Sequence, residues 1–256
     1  VLGHMRFFFE GIRPEIRQYL IESDQDEEPF SRDHRSLVYQ RAKGQEDARP
    51  FGTRLRVYDA GYSWVTHSVQ PVHIDDIDFR VTIGGKDCKQ PYSASLYNIS
   101  AMSFGSLSAN AIQALNTGAK LGGFAHDTGE GSVSRYHKAG GGDLIYQLAS
   151  GYFGSRASDG SFDPEKFRAT ASLDQIKMIE LKLSQGAKPG HGGLLPASKI
   201  SEEIAEARGV PMGIDCVSPA AHAAFETPIE MMQSAATSLA WAMAASVTVT
   251  GVCIAA

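Results

Sequence analysis

The chain has few cysteines and no histidines paired at the spacing of metal ligands. Its three cysteines, Cys88, Cys216 and Cys253, lie too far apart in the sequence for a metal-binding motif. An odd number of cysteines also argues against a disulfide framework and fits a reducing compartment. The eight histidines are scattered, so a zinc site is not expected either.

The chain also lacks an excess of positive charge and the usual phosphate-binding motifs. Its formal net charge is -5, which gives no basic field for nucleic acid. Neither a P-loop nor a dinucleotide-binding glycine fingerprint occurs. The triplet Asp127-Thr128-Gly129 is typical of aspartic proteases, but their catalytic dyad needs a second copy, and the sequence has none. These absences argue against a nucleic-acid binder, a P-loop enzyme and an aspartic protease.

No strongly hydrophobic run of membrane-spanning length is present. Residues 234–256 carry no charge, but they are rich in alanine, serine and threonine, which drive insertion weakly. The apolar stretch near Val1 is too short and too charged to span a bilayer. We therefore expect a cytoplasmic protein, with attachment to the cytoplasmic face of the inner membrane requiring an anchor outside this sequence.

Residues 1–90 are predicted to form a helical lead-in. An amphipathic helix is expected around "RPEIRQYLI", and a second within "SRDHRSLVYQRAKG", where Ser31 is a plausible N-cap and Gly44 a stop signal. At 256 residues with 43% apolar content, the chain is long enough to bury a sizeable core.

Residues 91–256 show strands and helices in alternation. The expected strands are the run ending at Gly105 and the segments "GFAHDTGEG", "IKMIELKLS", "MGIDCVS" and "SVTVTGVCIAA". The expected helices are "SLSANAIQALNTGAKLGG", "DPEKFRATAS", "SEEIAEARG" and "TPIEMMQSAATSLAWAM". Such alternation predicts a parallel sheet, either doubly wound or closed into a (β/α)8 barrel. In both architectures the active site lies in the loops that follow the strands.

The strand "IKMIELKLS" has a polar face. Glu180, Lys182 and Ser184 alternate with apolar residues, whereas a parallel strand covered on both faces is nearly all apolar. The polar residues either face the interior of a barrel or belong to a half-exposed antiparallel strand, and the pattern does not decide between these. The loop that follows offers Gln185, Lys188 and glycines that let the backbone approach an anion, although a plain linker uses glycine too.

Two further charged residues have alternative interpretations. Glu130 lies in a glycine turn, where it is either a general acid or base or simply a solvated residue. Arg208 lies in the last turn of a predicted helix, where a cation commonly complements the helix dipole.

Several motifs together resemble one family. "NISAMSFGSLSANAIQALNTGAKLGG", "DTGEG", "YQLASGYFG" and "IELKLSQGAKPGHGG" with "LLPASKI" are similar, in this order, to the FMN-binding synthase domain of glutamate synthases. The resemblance runs from residue 1 to about residue 233 and includes the lead-in of stand-alone glutamate synthase-like proteins of bacteria. It implies a (β/α)8 TIM barrel with FMN at the C-terminal ends of its strands.

The resemblance also implies a reaction and a set of residues. In the family, reduced flavin passes a hydride to 2-iminoglutarate, and a 3Fe-4S cluster supplies the electrons. The implied catalytic residues are Lys182, beside the flavin, and Glu130, near the substrate. The implied flavin contacts are Ala101, Met102, Ser103, Gln147 and Lys182, and the implied substrate contacts are Gln185, Lys188 and Arg208. An electron-donating protein or subunit is the expected partner, and a homo-oligomer is an open alternative to a monomer.

The sequence departs from the family pattern in several places. It has no glutaminase domain, so ammonia or an amine must come from elsewhere, and Leu194 stands where the large synthases carry glutamine. Gly251 falls where a lysine is usual. We expect only the first half of the barrel here, with the cluster cysteines beyond Ala256. Two alternatives stay open: an amine-using relative of N-methylglutamate synthase type, and a non-catalytic, membrane-associated scaffold with a degenerate barrel.

Overall fold

The computed structural model describes residues 5, 8–9, 12–16, 20–21, 30, 32–44, 57–75, 79–86, 88, 90–185, 190–231, 233 and 248–253. The chain divides into two compact units, Val1–Val72 and His73–Ala256. The predicted domain boundary at residue 90 stays a prediction. Within the described ranges, no helix combines the length and apolarity needed to cross a bilayer.

Two helices with defined bounds lie among the described residues of the first unit, both at predicted positions. They are α1 (Arg13–Ile16) and α2 (Arg32–Ala42). Gly44 follows α2 with a φ of 63°, a left-handed conformation that favours glycine, so the predicted stop signal is confirmed. The predicted N-cap, Ser31, lies outside the described residues.

Among its described residues, the second unit contains eight strands, four helices with defined bounds and the start of a further helix at residues 228–231. The strands are β1 (Arg80–Ile83), β2 (Tyr92–Ser95), β3 (His126–Asp127), β4 (Leu144–Leu148), β5 (Ile176–Lys182), β6 (Gly193–Leu195), β7 (Cys216–Ser218) and β8 (Thr248–Cys253). The helices are α3 (Ala109–Gly122), α4 (Arg135–Ala139), α5 (Pro164–Ala171) and α6 (Glu202–Arg208), with a short 3-10 helix at Ala197–Lys199.

Four of these strands form a parallel sheet in the order β3-β4-β5-β8. Every neighbouring pair in it is parallel, as the alternation of strands and helices predicts. Because the strands are parallel, their carboxyl ends meet at one edge of the sheet. Strand β4 and helix α4 were not predicted from the sequence pattern, and the sheet is open among the described residues.

The ends of the helices follow local capping rules. Ser108 and Ser201 cap α3 and α6 by accepting hydrogen bonds from backbone N–H groups of the first turn. Gly123 and Gly209 end the same helices in the left-handed conformation. The predictions for Ser201 and Gly209 are therefore confirmed. The predicted helix after Thr227 is also present at its start, where residues 228–231 are helical.

Two predicted strands pair differently from the expectation. The run ending at Gly105 contains β2, which ends at Ser95 and pairs antiparallel with β1. Beyond it, only Ile99 bridges to His126 of the parallel sheet. The "MGIDCVS" strand, β7, pairs antiparallel with β6 in a separate two-stranded sheet. In that pair Leu195 lies opposite Cys216, and both side chains are buried in one apolar cluster, which accounts for the register.

The core of the second unit consists of two apolar clusters. One packs helix α5 on one face of the parallel sheet, with Leu144, Tyr146, Phe167 and Ile179 among its buried members. The other packs α6 against Phe104, Ile112 and Phe153. Burial of about 25 cal/mol per Å² of apolar surface makes such clusters the main source of stability. On the opposite face, Ile145 and Met178 are followed by the polar Gln147 and Glu180 toward the carboxyl ends of the strands.

Candidate functional site

Four polar side chains lie at the C-terminal ends of adjacent parallel strands. They are Asp127 of β3, Gln147 of β4, and Glu180 and Lys182 of β5. Gln147 is directly opposite Glu180 in the β4–β5 ladder, so their side chains share a face. We call this the inward face. The parallel pairing of β5 with β4 and β8 confirms that its polar residues belong to a parallel strand, so the half-exposed antiparallel alternative is wrong.

The amide of Gln147 has a defined orientation on the inward face. Its Nε2 donates a hydrogen bond of 2.5 Å to Oε1 of Glu180, and its backbone N–H donates to Thr128 Oγ1 at 3.2 Å. Gln147 Oε1 is buried and has no hydrogen-bond partner among the described residues. A buried acceptor without a partner costs free energy, so this oxygen is suited to an N–H group of a ligand.

Lys182, Gln185 and Glu130 form a connected group at the edge of this face. Lys182 Nζ donates to Gln185 Oε1 at 3.0 Å, and Gln185 Nε2 donates to Glu130 Oε2 at 2.7 Å. Lys182 Nζ is also 3.6 Å from Glu130 Oε2, with both side chains less than one-fifth exposed. The structure therefore brings together three predicted site residues from two separate loops and a strand end.

Asp127 is a site residue that sequence reasoning missed. It is 3% exposed, and its Oδ1 accepts a hydrogen bond of 2.7 Å from the backbone N–H of Gly129. Burial, followed by the nearby charge of Glu180, raises the pKa of Asp127 to about 8. The sequence did offer a signal for this residue, a carboxylate at the end of a predicted strand. The triplet Asp127-Thr128-Gly129 was, however, interpreted only as a possible protease motif.

The segment Ala101–Ser103 lies against the loop that follows β3. The backbone N–H of Met102 donates to the carbonyl of Asp127 at 3.1 Å. Gly129 has a φ of 63°, and a Cβ added there would lie 2.7 Å from the backbone N of Ser103. Only glycine permits this approach. The predicted flavin contacts thus lie beside the inward face.

His137 is a second missed residue, and it holds the carbonyl of Met102. Its Nδ1 accepts from the backbone N–H of Ser134 at 3.2 Å, so Nε2 carries the proton and donates to Met102 at 3.0 Å. Burial lowers the pKa of His137 to about 4, which keeps the ring neutral at pH 7. His137 lies in a capping box at the start of α4, a motif in which a Glu or Gln is usual.

Arg208 is buried rather than exposed at the end of α6. Its side chain donates to the carbonyl of Phe104 at 3.4 Å and to Cys216 Sγ at 3.7 Å, and lies over the ring of Phe153. Within the part of the chain that the structure describes, no carboxylate pairs with it, and its Nε has no partner. A Cβ on Gly131 would be 3.2 Å from its guanidinium, so Arg208 borders the Glu130 loop.

Of the remaining predicted residues, Lys188 lies outside the described residues. His222, which was not predicted, fixes the end of β5 because its Nε2 donates to the carbonyl of Lys182 at 2.8 Å. Its ring stacks on Phe225, and its Nδ1 is 3.2 Å from the hydroxyl of Tyr152.

The inward face fits the FMN that the sequence resemblance implies. Its orphaned acceptor, Gln147 Oε1, suits the N–H of an isoalloxazine ring, and the cation of Lys182 suits negative charge on that ring. A 3Fe-4S cluster is not matched in the same way. The described residues contain no group of three or more His, Cys, Asp or Glu that could hold a metal.

Comparison with known proteins gives a family match and relatives that all carry glutamate synthase descriptions. The family described as the conserved region in glutamate synthase matches residues 60–253. A glutamate synthase large subunit-like protein, YerD, of Bacillus subtilis is 34% identical over 91% of this chain and 52% of its own length. A protein of the same description from Rhizobium meliloti is 31% identical over 74% of this chain and 41% of its own.

A third relative matches a shorter region. An archaeal-type glutamate synthase [NADPH] from a Thermotoga species is 40% identical over 48% of this chain and 22% of its own length. The chain thus spans about half or less of the length of these three relatives.

Proposed function

Because the chain belongs to the glutamate synthase family, whose conserved region covers residues 60–253, we propose that it is an FMN-dependent oxidoreductase. Its proposed reaction is the reduction of a 2-imino acid, derived from 2-oxoglutarate, to an amino acid. The observation that supports this most is the inward face, where Gln147, Glu180 and Lys182 converge at the carboxyl ends of parallel strands. Its proposed architecture is a (β/α)8 barrel, of which these strands are a part.

The flavin would be held by residues on and beside the inward face. Gln147 would accept a hydrogen bond from the ring through Oε1, and Ala101, Met102 and Ser103 would line it. When bound, FMN supplies a hydride for the carbon of the C=N bond. Lys182 would place its ammonium beside the ring, where a fixed positive charge stabilises negative charge. In the structure this ammonium pairs with Glu130. The proposed catalytic role therefore requires Lys182 to exchange that contact for one with the flavin ring.

The substrate would be held through its carboxylates. Arg208 is a buried cation without a carboxylate partner among the described residues, and guanidinium groups bind carboxylates bidentately. Gln185 and Lys188 would complete the contact from the loop after β5. Glu130 would lie near the substrate. It would hold Gln185 and Lys182 in position until the substrate binds.

The nitrogen and electron sources would be separate from this chain's described residues. Ammonia or an amine would combine with the 2-oxo acid to give the imine. Leu194 on β6 is 59% exposed and offers no polar group where the large synthases carry glutamine. Electrons would come from a donor protein or subunit; the Thermotoga relative is named for NADPH.

The proposal is tested first by flavin uptake and then by turnover. We expect the purified chain, mixed with FMN and desalted, to retain the visible flavin spectrum. When the flavin is photoreduced under anaerobic conditions, we expect 2-oxoglutarate with ammonium to reoxidise it and to give glutamate. Incubations with 2-oxoglutarate alone and with methylamine serve as controls for the nitrogen donor. A chain that retains no flavin would overturn the proposal and favour the scaffold.

A further inference from the structure

The loop after β7, residues 219–225, lies against the carboxyl ends of β4 and β5. Just beyond β4, Ser150 Oγ donates a hydrogen bond of 2.5 Å to the carbonyl of Pro219. From the same loop, His222 Nε2 donates at 2.8 Å to the carbonyl of Lys182, the last residue of β5. His222 therefore connects this loop directly to the strand that carries Lys182.

Both ring nitrogens of His222 have partners. A carbonyl only accepts, so Nε2 carries the proton that it donates to Lys182. Nδ1 is then an acceptor, and the hydroxyl of Tyr152 lies 3.2 Å away to donate to it. That hydroxyl also accepts from the backbone N–H of Ala224 at 3.1 Å. The ring is 6% exposed and stacks on Phe225, with 4.7 Å between ring centroids. These contacts define one tautomer and one orientation of the imidazole.

Tyr152, the partner of His222, is held in an unfavourable backbone conformation. Its φ is 49°, in the left-handed region that a residue other than glycine seldom adopts. Such a conformation persists only where the surrounding structure imposes it, and it is common at functional sites. Here the backbone N–H of Tyr152 donates to the carbonyl of Ala149 at 2.9 Å, and its carbonyl accepts from Ser155 at 2.8 Å. The strained turn thus belongs to the arrangement that orients His222.

The carbonyl of Lys182 lies where the chain leaves the parallel sheet. Lys182 Nζ donates to Gln185 Oε1 at 3.0 Å, and Gln185 Nε2 donates to Glu130 Oε2 at 2.7 Å. The planar peptide group after Lys182 sets the direction in which the chain continues toward Gln185. A hydrogen bond that fixes this carbonyl therefore fixes the start of the loop and the point from which the lysine side chain extends.

We propose that His222 is a positioning residue for Lys182: by holding the backbone carbonyl at the end of β5, it places the ammonium group beside the flavin ring. This inference rests on the proposed function, since the flavin is the ligand that Lys182 would face. His222 binds the backbone of Lys182, whereas Glu130 lies 3.6 Å from its ammonium group. The side chain can therefore exchange Glu130 for the flavin while its backbone stays fixed.

The positioning role is tested by a double-mutant cycle on FMN affinity, measured from quenching of flavin fluorescence. His222→Phe keeps a buried ring but cannot donate, so it should weaken FMN binding about fivefold, the order expected for one lost hydrogen bond. In the Lys182→Ala background the same change should cause no further loss, because no ammonium group is left to position. An equal loss in both backgrounds would overturn the positioning role, since a general disturbance of the site does not depend on Lys182.

Two further variants separate the hydrogen bond from the packing of the loop. His222→Gln keeps an N–H donor for the carbonyl of Lys182 and should bind FMN as the wild type does. Phe225→Leu removes the stacked ring but leaves both hydrogen bonds of His222, so it is the matched control and should also bind normally. A loss in either variant equal to that of His222→Phe would assign the effect to packing and overturn the proposal. Circular dichroism verifies that each variant is folded.

The hydrogen bond itself is tested without flavin. Nitrogen-15 NMR of the apo chain, labelled at histidine, reports which ring nitrogen carries the proton, and the His222 signals are those absent from His222→Gln. At neutral pH we expect a proton on Nε2 and none on Nδ1. A proton on Nδ1 alone would overturn the contact with Lys182, whether or not the chain binds FMN.

The proposed function and the positioning role fail in different ways. If the wild-type chain binds FMN but the loss caused by His222→Phe is independent of Lys182, only the positioning role is wrong. If neither the wild type nor any variant takes up FMN, the proposed function is wrong and the positioning role falls with it.

Discussion

The two faces of the parallel sheet differ sharply in chemistry. One face, which packs on α5, carries Leu144, Tyr146 and Ile179, all less than 5% exposed and surrounded by apolar neighbours. The inward face of the same strands carries Gln147 and Glu180, joined by a hydrogen bond, and Lys182, which pairs with Glu130. The strands thus divide their tasks residue by residue, since successive side chains point to opposite faces. The first face stabilises the fold through apolar packing. The second face holds polar groups, whose burial is costly, and forms the candidate site.

His126 and Asp127, adjacent on β3, show the same division. His126 contacts the ring of His137 on α4, and burial lowers its pKa to about 4. Asp127 belongs to the inward face, and burial raises its pKa to about 8. Burial favours the neutral form of each group. The two residues therefore make stability depend on pH with opposite signs.

The largest effect is expected on the apolar face. Phe167 of α5 is 1% exposed and packs beside the ring of Tyr146, with 6.2 Å between ring centroids. Phe167→Ala removes most of a buried aromatic ring and leaves a cavity, so the free energy of unfolding should fall by about 3–5 kcal/mol. Urea unfolding measures it. Leu121→Ala, at an 84% exposed position of α3, is the control and should change little. A loss below about 1 kcal/mol at Phe167 would contradict the assignment of this face to the core.

Asp127→Asn is expected to stabilise the chain at neutral pH. The pKa of Asp127 is about 8 in the folded chain and about 4 in the unfolded chain. The unfolded chain therefore ionises first, and the wild type loses stability as pH rises from 4 to 8. The variant escapes this loss and should be more stable by about 2–4 kcal/mol at pH 8. Urea unfolding at several pH values measures the difference, which should vanish near pH 4. A constant difference across this range would mean that burial does not raise the pKa of Asp127 in the folded chain.

The opposite slope is expected from His126. Its folded pKa of about 4 lies below the ordinary value of about 6.5, so the unfolded chain takes up a proton first as pH falls. Wild-type stability should decline from pH 6.5 to 4, and His126→Leu should reduce that decline by about 2 kcal/mol. Thermal unfolding at pH 7 and pH 5 measures it. His34→Leu, at an exposed position of α2, is the control. An unchanged decline in His126→Leu would show that this ring is not buried as a neutral group.

The sequence predicted those parts of the fold that local chemistry determines. Alternation along β5 indicated its polar face, and Ser201 with Gly209 marked both ends of α6. The antiparallel pairing of β6 and β7 was not predictable, because three-residue strands carry no usable periodicity and their partner is set by tertiary packing. Strand β4 was also not predictable, because most of its five residues are buried and a strand covered on both faces shows no apolar–polar alternation.

The candidate site was predictable where a motif carried it. Resemblance to the family identified Gln147, Glu130 and Gln185, which the structure places on or beside the inward face. Asp127 was missed because its importance comes from burial next to Glu180, which lies 53 residues further along the chain. His137 and His222 were missed because each acts on a backbone carbonyl, and such contacts leave no sequence pattern.

The most direct test compares two lysines of β5. Lys182 lies on the inward face, whereas Lys177 is outside it and donates to the carbonyl of Asp174 at 2.7 Å. FMN binding by the wild-type chain and both alanine variants, measured from quenching of flavin fluorescence, separates the two positions. We predict that Lys182→Ala weakens binding by roughly 10-fold or more, since loss of a charge-assisted contact costs about 1.5–3 kcal/mol, and that Lys177→Ala leaves it unchanged. Equal, small effects of the two substitutions would contradict a flavin site on the inward face.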